Sequence, residues 1–326
     1  MNAPEKKIVI AHRGASAYLP EHTLPAITMA HALGADYLEQ DVVLSRDHIP
    51  IVLHDICLDR VTDVCSRFPD RARSDGRYYA MDFLLDEIKQ LQVHERADPV
   101  TQQPVYPQRF PLAMSTFCVP TLAEEIELVQ GLNRSTGREA GLYPEIKAPV
   151  WHRQQGADIS RIVLNVLSQY GYRTAEDRIY VQCFDAEETR RMRVELKTRL
   201  KLIQLIGGND CQEAPTDFAY LQRADGVAHV AGFADGLGPQ LLQIVQGVDQ
   251  HGRPQRTSLV EMAHVHGLVV HAYTLRADDL PQYAATFDQL MCFLVNDAEV
   301  DGVFTDFPDL AVAYLQRVNQ KPTRTA

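Results

Sequence analysis

Two carboxylates, Glu39 and Asp41, stand two residues apart in the strand-like segment YLEQDV that begins at Tyr37. Successive side chains of a strand point to opposite faces, so both carboxylates lie on the same face. Two buried carboxylates repel each other and lose hydration unless one is protonated or a cation lies between them. A hard divalent ion with oxygen ligands would satisfy both, whereas an exposed strand face could carry the same acids without an ion.

A second strand-like segment, LYPEIK, adds the carboxylate of Glu145 and the ammonium of Lys147. The spacing again puts the two side chains on one face. Glu145 could join the same ion, and Lys147 offers a point charge for a phosphate oxygen. An ordinary ion pair on an exposed strand has the same spacing.

Two histidines follow short apolar segments. His12 comes directly after IVIA and is followed by Arg13 and Gly14, while His54 ends the segment IVLH. An imidazole beside a guanidinium, before a glycine that lets the backbone turn sharply, suits the handling of a phosphate. A structural His–Arg pair and a structural histidine at the second position are the alternatives.

Short β-type segments alternate with amphipathic helical ones along the chain, which predicts a parallel sheet with helical crossovers. The predicted strands are Lys7–Ala11, Tyr37–Leu44, Ile51–His54, Gly141–Ile146, Arg178–Phe184, Lys201–Ile206, Ala234–Gly238, Leu268–Tyr273 and Gly302–Thr305. The predicted helices are Leu24–Leu33, Leu122–Leu132, Ile159–Tyr170, Ala186–Leu200, Leu259–His266 and Leu310–Val318. Thr121 and Glu124 form the pattern of a capping box at the start of the second helix.

Nine strands fit an eight-stranded fold if Tyr37–Leu44 and Ile51–His54 are the two arms of a hairpin that turns at Asp47–Pro50. A closed (β/α)8 TIM barrel is then the predicted architecture, and a doubly wound open sheet is the alternative. The candidate residues all lie at the C-terminal ends of predicted strands. Barrel enzymes build their active sites at that end.

The chain has 326 residues. A barrel takes about 250 of them, which leaves about 75. These are expected as an insertion at about 56–118, after the second strand. The insertion is loop-like in composition, apart from one helix on which Leu84, Ile88 and Leu91 share a face. Residues 1–326 are therefore expected to form a single catalytic domain, with the insertion lying across the catalytic end of the barrel.

The formal charge is −11, from 32 Lys plus Arg against 43 Asp plus Glu. This balance argues against a nucleic-acid or anionic-lipid partner, so a phosphate-bearing substrate would need a local cationic pocket. No apolar segment approaches the ~20 residues of a membrane span. Because Met1–Lys7 lacks the features of a secretory signal, the sequence as it stands indicates the cytoplasm, or the periplasm if a leader has been removed.

The six cysteines are widely scattered and show no Cys-x-x-Cys spacing. This pattern predicts reduced, buried thiols and argues against a zinc cluster. A disulfide between Cys57 and Cys65 stays open.

Together the motifs HRG, ExD, HD and PEIK, in this order and at these spacings, resemble the glycerophosphodiester phosphodiesterase family, and most closely its long, periplasmic-type bacterial members. The resemblance runs from AHRGASAYLPEHTLPA through DYLEQDVVLSRD, IVLHDICLDRVTD, LYPEIKAP and VQCFD to VFTDFPD. It implies a (β/α) barrel with an inserted segment after the second strand. It also implies hydrolysis of small-molecule glycerophosphodiesters, such as glycerophosphocholine and glycerophosphoethanolamine, to sn-glycerol 3-phosphate and an alcohol.

The resemblance also implies roles for individual residues. One divalent ion, Ca²⁺ or Mg²⁺, would be held by Glu39, Asp41 and Glu145. The acid/base pair would be His12 and His54, and the phosphate would be contacted by Arg13 and Lys147. Supporting roles fall to Glu21, which would brace the site by hydrogen bonding, and to Tyr273, which would lie near the alcohol or glycerol.

Two positions depart from the common family pattern. His22 stands where many members have asparagine, although long bacterial members also have histidine there. Tyr273 stands where shorter members usually have tryptophan, so the contact with the alcohol or glycerol part of the substrate could differ.

Several alternatives stay open in the sequence. The same site could serve a lysophospholipase D-like enzyme, or the barrel could be a non-catalytic surface-binding protein. Which histidine is the acid, and whether a cyclic phosphate precedes attack by water, is also open.

Overall fold

Eight parallel strands close into a barrel within the part of the chain that the computed structural model describes, residues 6–112, 114–208 and 214–320. Three further strands lie outside the barrel. In chain order the strands are β1 Ile8–Ala11, β2 Tyr37–Leu44, β3 Pro50–Val52, β4 Gly141–Ile146, β5 Tyr180–Cys183, β6 Lys201–Ile206, β7 Gly236–Pro239, β8 Val245–Val248, β9 Pro254–Arg256, β10 Val269–Leu275 and β11 Gly302–Thr305.

The barrel order is β1-β11-β10-β7-β6-β5-β4-β2, and β2 pairs again with β1 to close the ring. The TIM barrel expected from the sequence is therefore confirmed, and the open doubly wound sheet is wrong. Every residue of β2 is buried, as expected for a parallel strand covered on both faces. The ninth predicted strand is β3, which pairs antiparallel with β2 as the second arm of the expected hairpin.

Helices cover the outside of the barrel. They are α1 Leu24–Leu33, α2 Val64–Arg67, α3 Leu85–Ile88, α4 Leu122–Thr136, α5 Pro149–Gln154, α6 Ile159–Gln169, α7 Ala186–Val194, α8 Phe218–Leu221, α9 Ala224–Val230, α10 Leu241–Ile244, α11 Leu259–Val265, α12 Phe287–Cys292 and α13 Pro308–Gln320. The main hydrophobic core lies between these helices and the outward faces of the strands, for example at Leu38, Val42 and Leu142 of the barrel and Ile126 and Val163 of the helices. Inside the barrel, aromatic and aliphatic side chains pack around Tyr143 and Phe304.

The segment between β3 and α4 covers the residues where the insertion is expected, at about 56–118. It contains α2, α3 and two 3₁₀ turns, Pro69–Arg71 and Ala80–Asp82. Its apolar residues form a separate cluster with Val43, Ile51 and Leu53 of the β2–β3 arm, so the insertion is anchored on the barrel. The capping box predicted at the start of α4 is present, because Thr121 Oγ1 accepts a hydrogen bond from the Glu124 amide and Glu124 Oε2 accepts one from the Thr121 amide.

The helix expected to present Leu84, Ile88 and Leu91 on one face is a single turn, α3. Ile88 and Leu91 are buried, whereas Leu84 precedes the turn and is partly exposed. The helix expected over Ala186–Leu200 ends at Val194, because the chain then reverses direction through Lys197, whose φ is 58°. In both places the apolar spacing resembles that of a longer helix, but the chain turns instead.

Several short elements were absent from the sequence prediction. They are α5, α8, α9, α10, α12 and the β8–β9 hairpin. The helices have four to seven residues, too few for a clear hydrophobic period, and the exposed hairpin strand β8 has no alternating apolar face.

The described cysteines are free. Cys57 and Cys183 are buried as expected, but Cys65, Cys118 and Cys292 are exposed, so the expectation of buried thiols is wrong for these three. Cys211 lies outside the described residues. Among the described helices, none is both long enough and apolar enough to cross a membrane.

Candidate active site

The three predicted metal-binding carboxylates meet inside the barrel. Asp41 of β2 lies in register with Glu145 of β4, and Glu39 lies two residues earlier on the same face of β2. All three are at least 95% buried, and one oxygen from each lies within 4.8 Å of the others. The three carboxylates therefore lie together on the inner face of the barrel, as the strand period predicts.

The carboxylate oxygens have unequal surroundings. Glu39 Oε1 accepts a hydrogen bond from Gln182 Nε2 at 2.9 Å, and Oε2 accepts one from the Arg13 amide at 2.9 Å. Asp41 Oδ2 lies 2.7 Å from His22 Nε2, while its Oδ1 is buried and has no hydrogen-bond partner among the described residues. Glu145 Oε1 lies 2.9 Å from Lys147 Nζ.

Burial and the neighbouring Asp41 raise the pKa of Glu39 well above its usual range. Burial also opposes ionisation of Asp41, but His22, Lys147 and His54 outweigh it and hold the pKa of Asp41 well below its usual range. The charge of Asp41 thus favours the protonated form of Glu39. A hard cation could replace that proton and use the unpartnered Oδ1, so these residues fit a divalent ion.

His12 and His54 flank this cluster in similar ways. His12 Nδ1 lies 2.6 Å from Asp306 Oδ1, and its Nε2 is 3.9 Å from Glu39 Oε2. His54 Nδ1 lies 2.7 Å from Asp55 Oδ1, and its Nε2 is 3.4 Å from Lys147 Nζ. An aspartate on Nδ1 fixes the tautomer and leaves Nε2 for a reacting atom.

The surroundings of both imidazoles disfavour the charged form and so lower the pKa of each ring. Burial, together with the charge of Arg13, lowers the pKa of His12 to about 3, although Asp306 acts in the opposite direction. Burial, Arg13 and Lys147 also lower the pKa of His54. The neutral imidazole is therefore the form that the folded protein favours at both positions.

Asp55 and Asp306, the partners of the two histidines, were not among the predicted site residues. Asp306 directly follows the last barrel strand, and Asp55 directly follows His54. Asp306 shares the feature that marks the other candidate residues, because it is a polar side chain at the end of a barrel strand.

The insertion contributes two arginines to these pairs. Arg96 donates to Asp55 Oδ2 at 2.8 Å and to both oxygens of Glu21 at 2.6 and 3.0 Å. Arg109 Nη2 donates to Asp306 Oδ2 at 2.8 Å, and the same oxygen accepts from Arg276 Nε at 2.7 Å. Each histidine–aspartate pair is thus held by an arginine from the insertion. No periodic sequence pattern marks an arginine in an irregular loop.

Arg13 and Lys147, the predicted phosphate contacts, both contact carboxylates. Arg13 Nη1 donates to Glu21 at 3.1 and 3.2 Å, and its Nε lies 3.3 Å from Asp41 Oδ2. The turn at Arg13 depends on Gly14, which has φ 86° and whose added Cβ would come within 2.8 Å of the Ala26 backbone. Both oxygens of Glu21 accept hydrogen bonds from Arg13, and a bracing role for Glu21 stays a prediction.

Most of the predicted residues line one pocket of about 180 Å³: His12, Arg13, Glu39, Asp41, His54, Glu145 and Tyr273. The Tyr273 hydroxyl donates to the Ile206 carbonyl at 3.0 Å, which holds the ring at the wall of this pocket. Lys147 lines a larger cavity beside it. His22, which departs from the common family pattern, contacts Asp41.

The fold is a closed parallel barrel, and its imidazoles, cations and clustered carboxylates lie at the C-terminal ends of the strands. This arrangement is typical of TIM-barrel hydrolases, and these groups suit a phosphoric diester as substrate. The comparisons with known proteins narrow this class. The model of the glycerophosphoryl diester phosphodiesterase family matches residues 12–310. The chain belongs to this family and is a phosphoric diester hydrolase.

Two bacterial relatives support this assignment over nearly their whole length. A glycerophosphodiester phosphodiesterase of Haemophilus influenzae is 42% identical over 96% of this chain and 90% of its own. One of Treponema pallidum is 36% identical over 95% of this chain and 92% of its own.

Solved structures share the fold. A putative glycerophosphoryl diester phosphodiesterase of Silicibacter pomeroyi superposes with a TM-score of 0.72 at 22% identity, covering 97% of this chain and 95% of its own. A phosphodiesterase of Oleispira antarctica, solved in complex with the product sn-glycerol-3-phosphate, superposes with a TM-score of 0.63 at 21% identity, covering 95% of this chain and 96% of its own. At these identities the likeness shows the fold alone.

Proposed function

We propose that the protein hydrolyses glycerophosphodiesters, such as glycerophosphocholine and glycerophosphoethanolamine, to sn-glycerol 3-phosphate and an alcohol. The observation that carries the proposal is the placement of His12 and His54. Each has its Nδ1 on an aspartate and lines the pocket that contains the buried carboxylates. The names of the bacterial relatives and the product bound to the Oleispira antarctica structure support the same substrate class.

Glu39, Asp41 and Glu145 would hold one divalent ion, Ca²⁺ or Mg²⁺. When bound, such an ion would neutralise charge on the phosphate and orient the reacting oxygens. Two groups of the chain donate hydrogen bonds to Glu39, the backbone amide of Arg13 and the side-chain amide of Gln182. These hydrogen bonds would orient the carboxylate for its role as a ligand.

His12 and His54 would share the proton transfers. One neutral imidazole accepts a proton at Nε2 from the attacking oxygen, and the other gives a proton to the departing alcohol. The two must therefore be in opposite protonation states when the substrate is bound. The negative phosphate favours the imidazolium form of the nearer ring and offsets the burial that keeps the free protein's imidazoles neutral.

Arg13 and Lys147 would contact the phosphate. Lys147 is buried and the Arg13 side chain is 14% exposed. Both are already held in place by carboxylates, Arg13 by Glu21 and Lys147 by Glu145. Cations oriented in advance can stabilise charge that develops on the phosphoryl oxygens without reorganising. Glu21 and Tyr273 would support the site, Glu21 through Arg13 and Tyr273 as part of the pocket wall.

Residues 1–326 would form a single catalytic domain, and the insertion would be part of the active site. The support for this proposal is that Arg96 and Arg109, both from the insertion, hydrogen bond to the aspartates beside His54 and His12.

An assay for sn-glycerol 3-phosphate tests the proposal. The purified protein should release it from glycerophosphocholine in the presence of Ca²⁺ or Mg²⁺. A parallel assay with lysophosphatidylcholine tests the lysophospholipase D-like alternative. Release of choline from the lysolipid without hydrolysis of glycerophosphocholine would overturn the proposal.

A further inference from the structure

A second cavity, of about 880 Å³, adjoins the catalytic pocket. The insertion forms one wall, through Arg60, Arg77 and Tyr79, and the start of α5 forms another, through Trp151. His54 lines both the small pocket and this cavity. By contrast, His12 lines the small pocket, and Lys147 lines the larger cavity.

We infer that this cavity binds the alcohol head group of the substrate, and that it favours polyol head groups such as inositol or glycerol over a quaternary ammonium. The inference rests on the proposed function. The small pocket contains the carboxylates and His12, so the phosphate and the glycerol that stays with it lie there. Lys147 lies at the boundary of the two spaces, with its Nζ 3.4 Å from Nε2 of His54, which lines both. The head group then extends past His54 into the larger space.

The charged groups on the cavity wall differ in how far they are already paired. Arg77 donates to both oxygens of Asp59 at 2.6 and 3.2 Å, and Lys147 pairs with Glu145. Arg60 forms no ion pair with any described carboxylate, and its Nε is buried without a hydrogen-bond acceptor among the described residues. Its attraction to Asp98 is electrostatic only. Among the charged side chains of the described wall, Arg60 is therefore the cation that no carboxylate pairs with.

The acids of the wall are occupied. Asp55 accepts from Arg96 and pairs with His54, and Asp185 is buried and accepts from the Glu188 amide at 3.1 Å at the start of α7. A guanidinium needs oxygen acceptors, which the hydroxyls of a polyol supply. A quaternary ammonium has no acceptor and shares the sign of the Arg60 charge.

The aromatic residues do not form an open cage for a cation. Trp151 stacks on Tyr79 with ring centroids 5.5 Å apart and an angle of 18° between the planes. Arg73 lies 4.2 Å from the centroid of the Tyr79 ring. Tyr79 is thus already in contact with an aromatic ring and with a cation of the chain itself, whereas a quaternary ammonium needs exposed ring faces.

Trp151 is the one tryptophan of the sequence, so its fluorescence reports on this cavity. A His12→Ala variant, whose turnover should be at least about 10²-fold slower, would hold substrate long enough for a titration. Glycerophosphoinositol should change its emission at lower concentration than glycerophosphocholine, and sn-glycerol 3-phosphate should leave the emission unchanged. The same change with sn-glycerol 3-phosphate would overturn the location, and tighter binding of glycerophosphocholine would overturn the preference.

Kinetics of Arg60→Met give an independent test. The KM for glycerophosphoinositol should rise about tenfold with kcat nearly unchanged, as expected when a hydrogen bond to a charged group is lost. The KM for glycerophosphocholine should stay within about twofold of the wild-type value. Arg67→Met is the matched control, because Arg67 is an exposed insertion arginine that pairs with Asp63, four residues before it.

The two hypotheses fail in different ways. A wild-type protein that hydrolyses no glycerophosphodiester would contradict the proposed function. Hydrolysis of both diesters, with Arg60→Met changing both KM values equally or neither, would contradict the head-group inference alone.

Discussion

Arg109 and Asp306 form an ion pair at 2.8 Å although 197 positions separate them in the chain. Arg109 belongs to the insertion, and Asp306 follows the last barrel strand. Asp306 uses its other oxygen to accept from His12 Nδ1 at 2.6 Å. A residue far from Asp306 in sequence therefore holds the aspartate that contacts a proposed catalytic imidazole.

The first prediction concerns Arg109 as a positioning residue. Arg109→Met should lower kcat about tenfold and change KM little, because Asp306 keeps Arg276 but loses one of its two arginines, so that His12 is oriented less firmly. Arg109→Lys should recover part of the loss. Steady-state kinetics on glycerophosphocholine measure this.

Arg67→Met serves as the control for the Arg109 variants, since it removes an insertion arginine without touching the site. If Arg109→Met acted through a general loss of folding, its melting temperature would fall together with kcat. Arg109→Lys would then not recover activity. Unchanged kcat in Arg109→Met would show that Arg276 alone suffices.

The second prediction concerns the proposed metal site. Ca²⁺ or Mg²⁺ should raise the melting temperature of the wild-type protein, because a ligand that binds the folded state stabilises it. Glu145→Ala should weaken ion binding by at least about tenfold and lose this shift. Isothermal titration calorimetry measures the affinity. Exhaustive chelation should abolish hydrolysis in the wild-type protein, and undiminished turnover there would remove the ion from the mechanism.

The barrel and its central residues could be predicted because both follow local rules. The strand period puts Glu39 and Asp41 on one face, and the alternation of strands and helices predicts the parallel barrel that brings Glu145 beside them. Neither inference needs knowledge of distant contacts. The nine predicted strands are all observed, with the predicted bounds or bounds that differ by one or two residues.

Arg96 and Arg109 could not be predicted, because their partners depend on how the irregular insertion folds back over the barrel. Their neighbours in sequence carry no period, and the contacts they make span 41 to 197 positions. The insertion core is also built from single turns rather than from the amphipathic helix that Leu84, Ile88 and Leu91 indicated.

The third prediction separates the two histidines. His12→Ala and His54→Ala should each lower kcat about 10²-fold or more with glycerophosphocholine, from the usual contribution of general acid–base catalysis. His54 borders the proposed head-group cavity, so it is expected to protonate the departing alcohol. With a p-nitrophenyl diester of glycerol 3-phosphate, whose leaving group needs no acid, His54→Ala should recover most of its activity and His12→Ala should not. Equal recovery of both variants, or recovery of His12→Ala alone, would contradict this assignment.

The fourth prediction concerns Glu95, which precedes Arg96 in the insertion. Its side chain is buried, and Oε2 has no hydrogen-bond partner among the described residues. Burial and the neighbouring Glu21 raise the pKa of Glu95 from 4.5 to about 8, against the opposing charge of Arg109. Between these values the folded protein keeps a proton that the unfolded chain releases.

The free energy of unfolding should therefore fall as the pH rises from 4.5 to 8 because of this group, by up to about 1.4 kcal/mol per pH unit. Glu95→Gln should remove this dependence, so the variant should exceed the wild-type protein in stability near pH 8 and match it near pH 4.5. Urea unfolding of both proteins across this range measures the difference. Glu139→Gln, at an exposed position, should follow the wild-type curve throughout. Parallel curves for Glu95→Gln and the wild-type protein would mean that Glu95 is already ionised in the folded state.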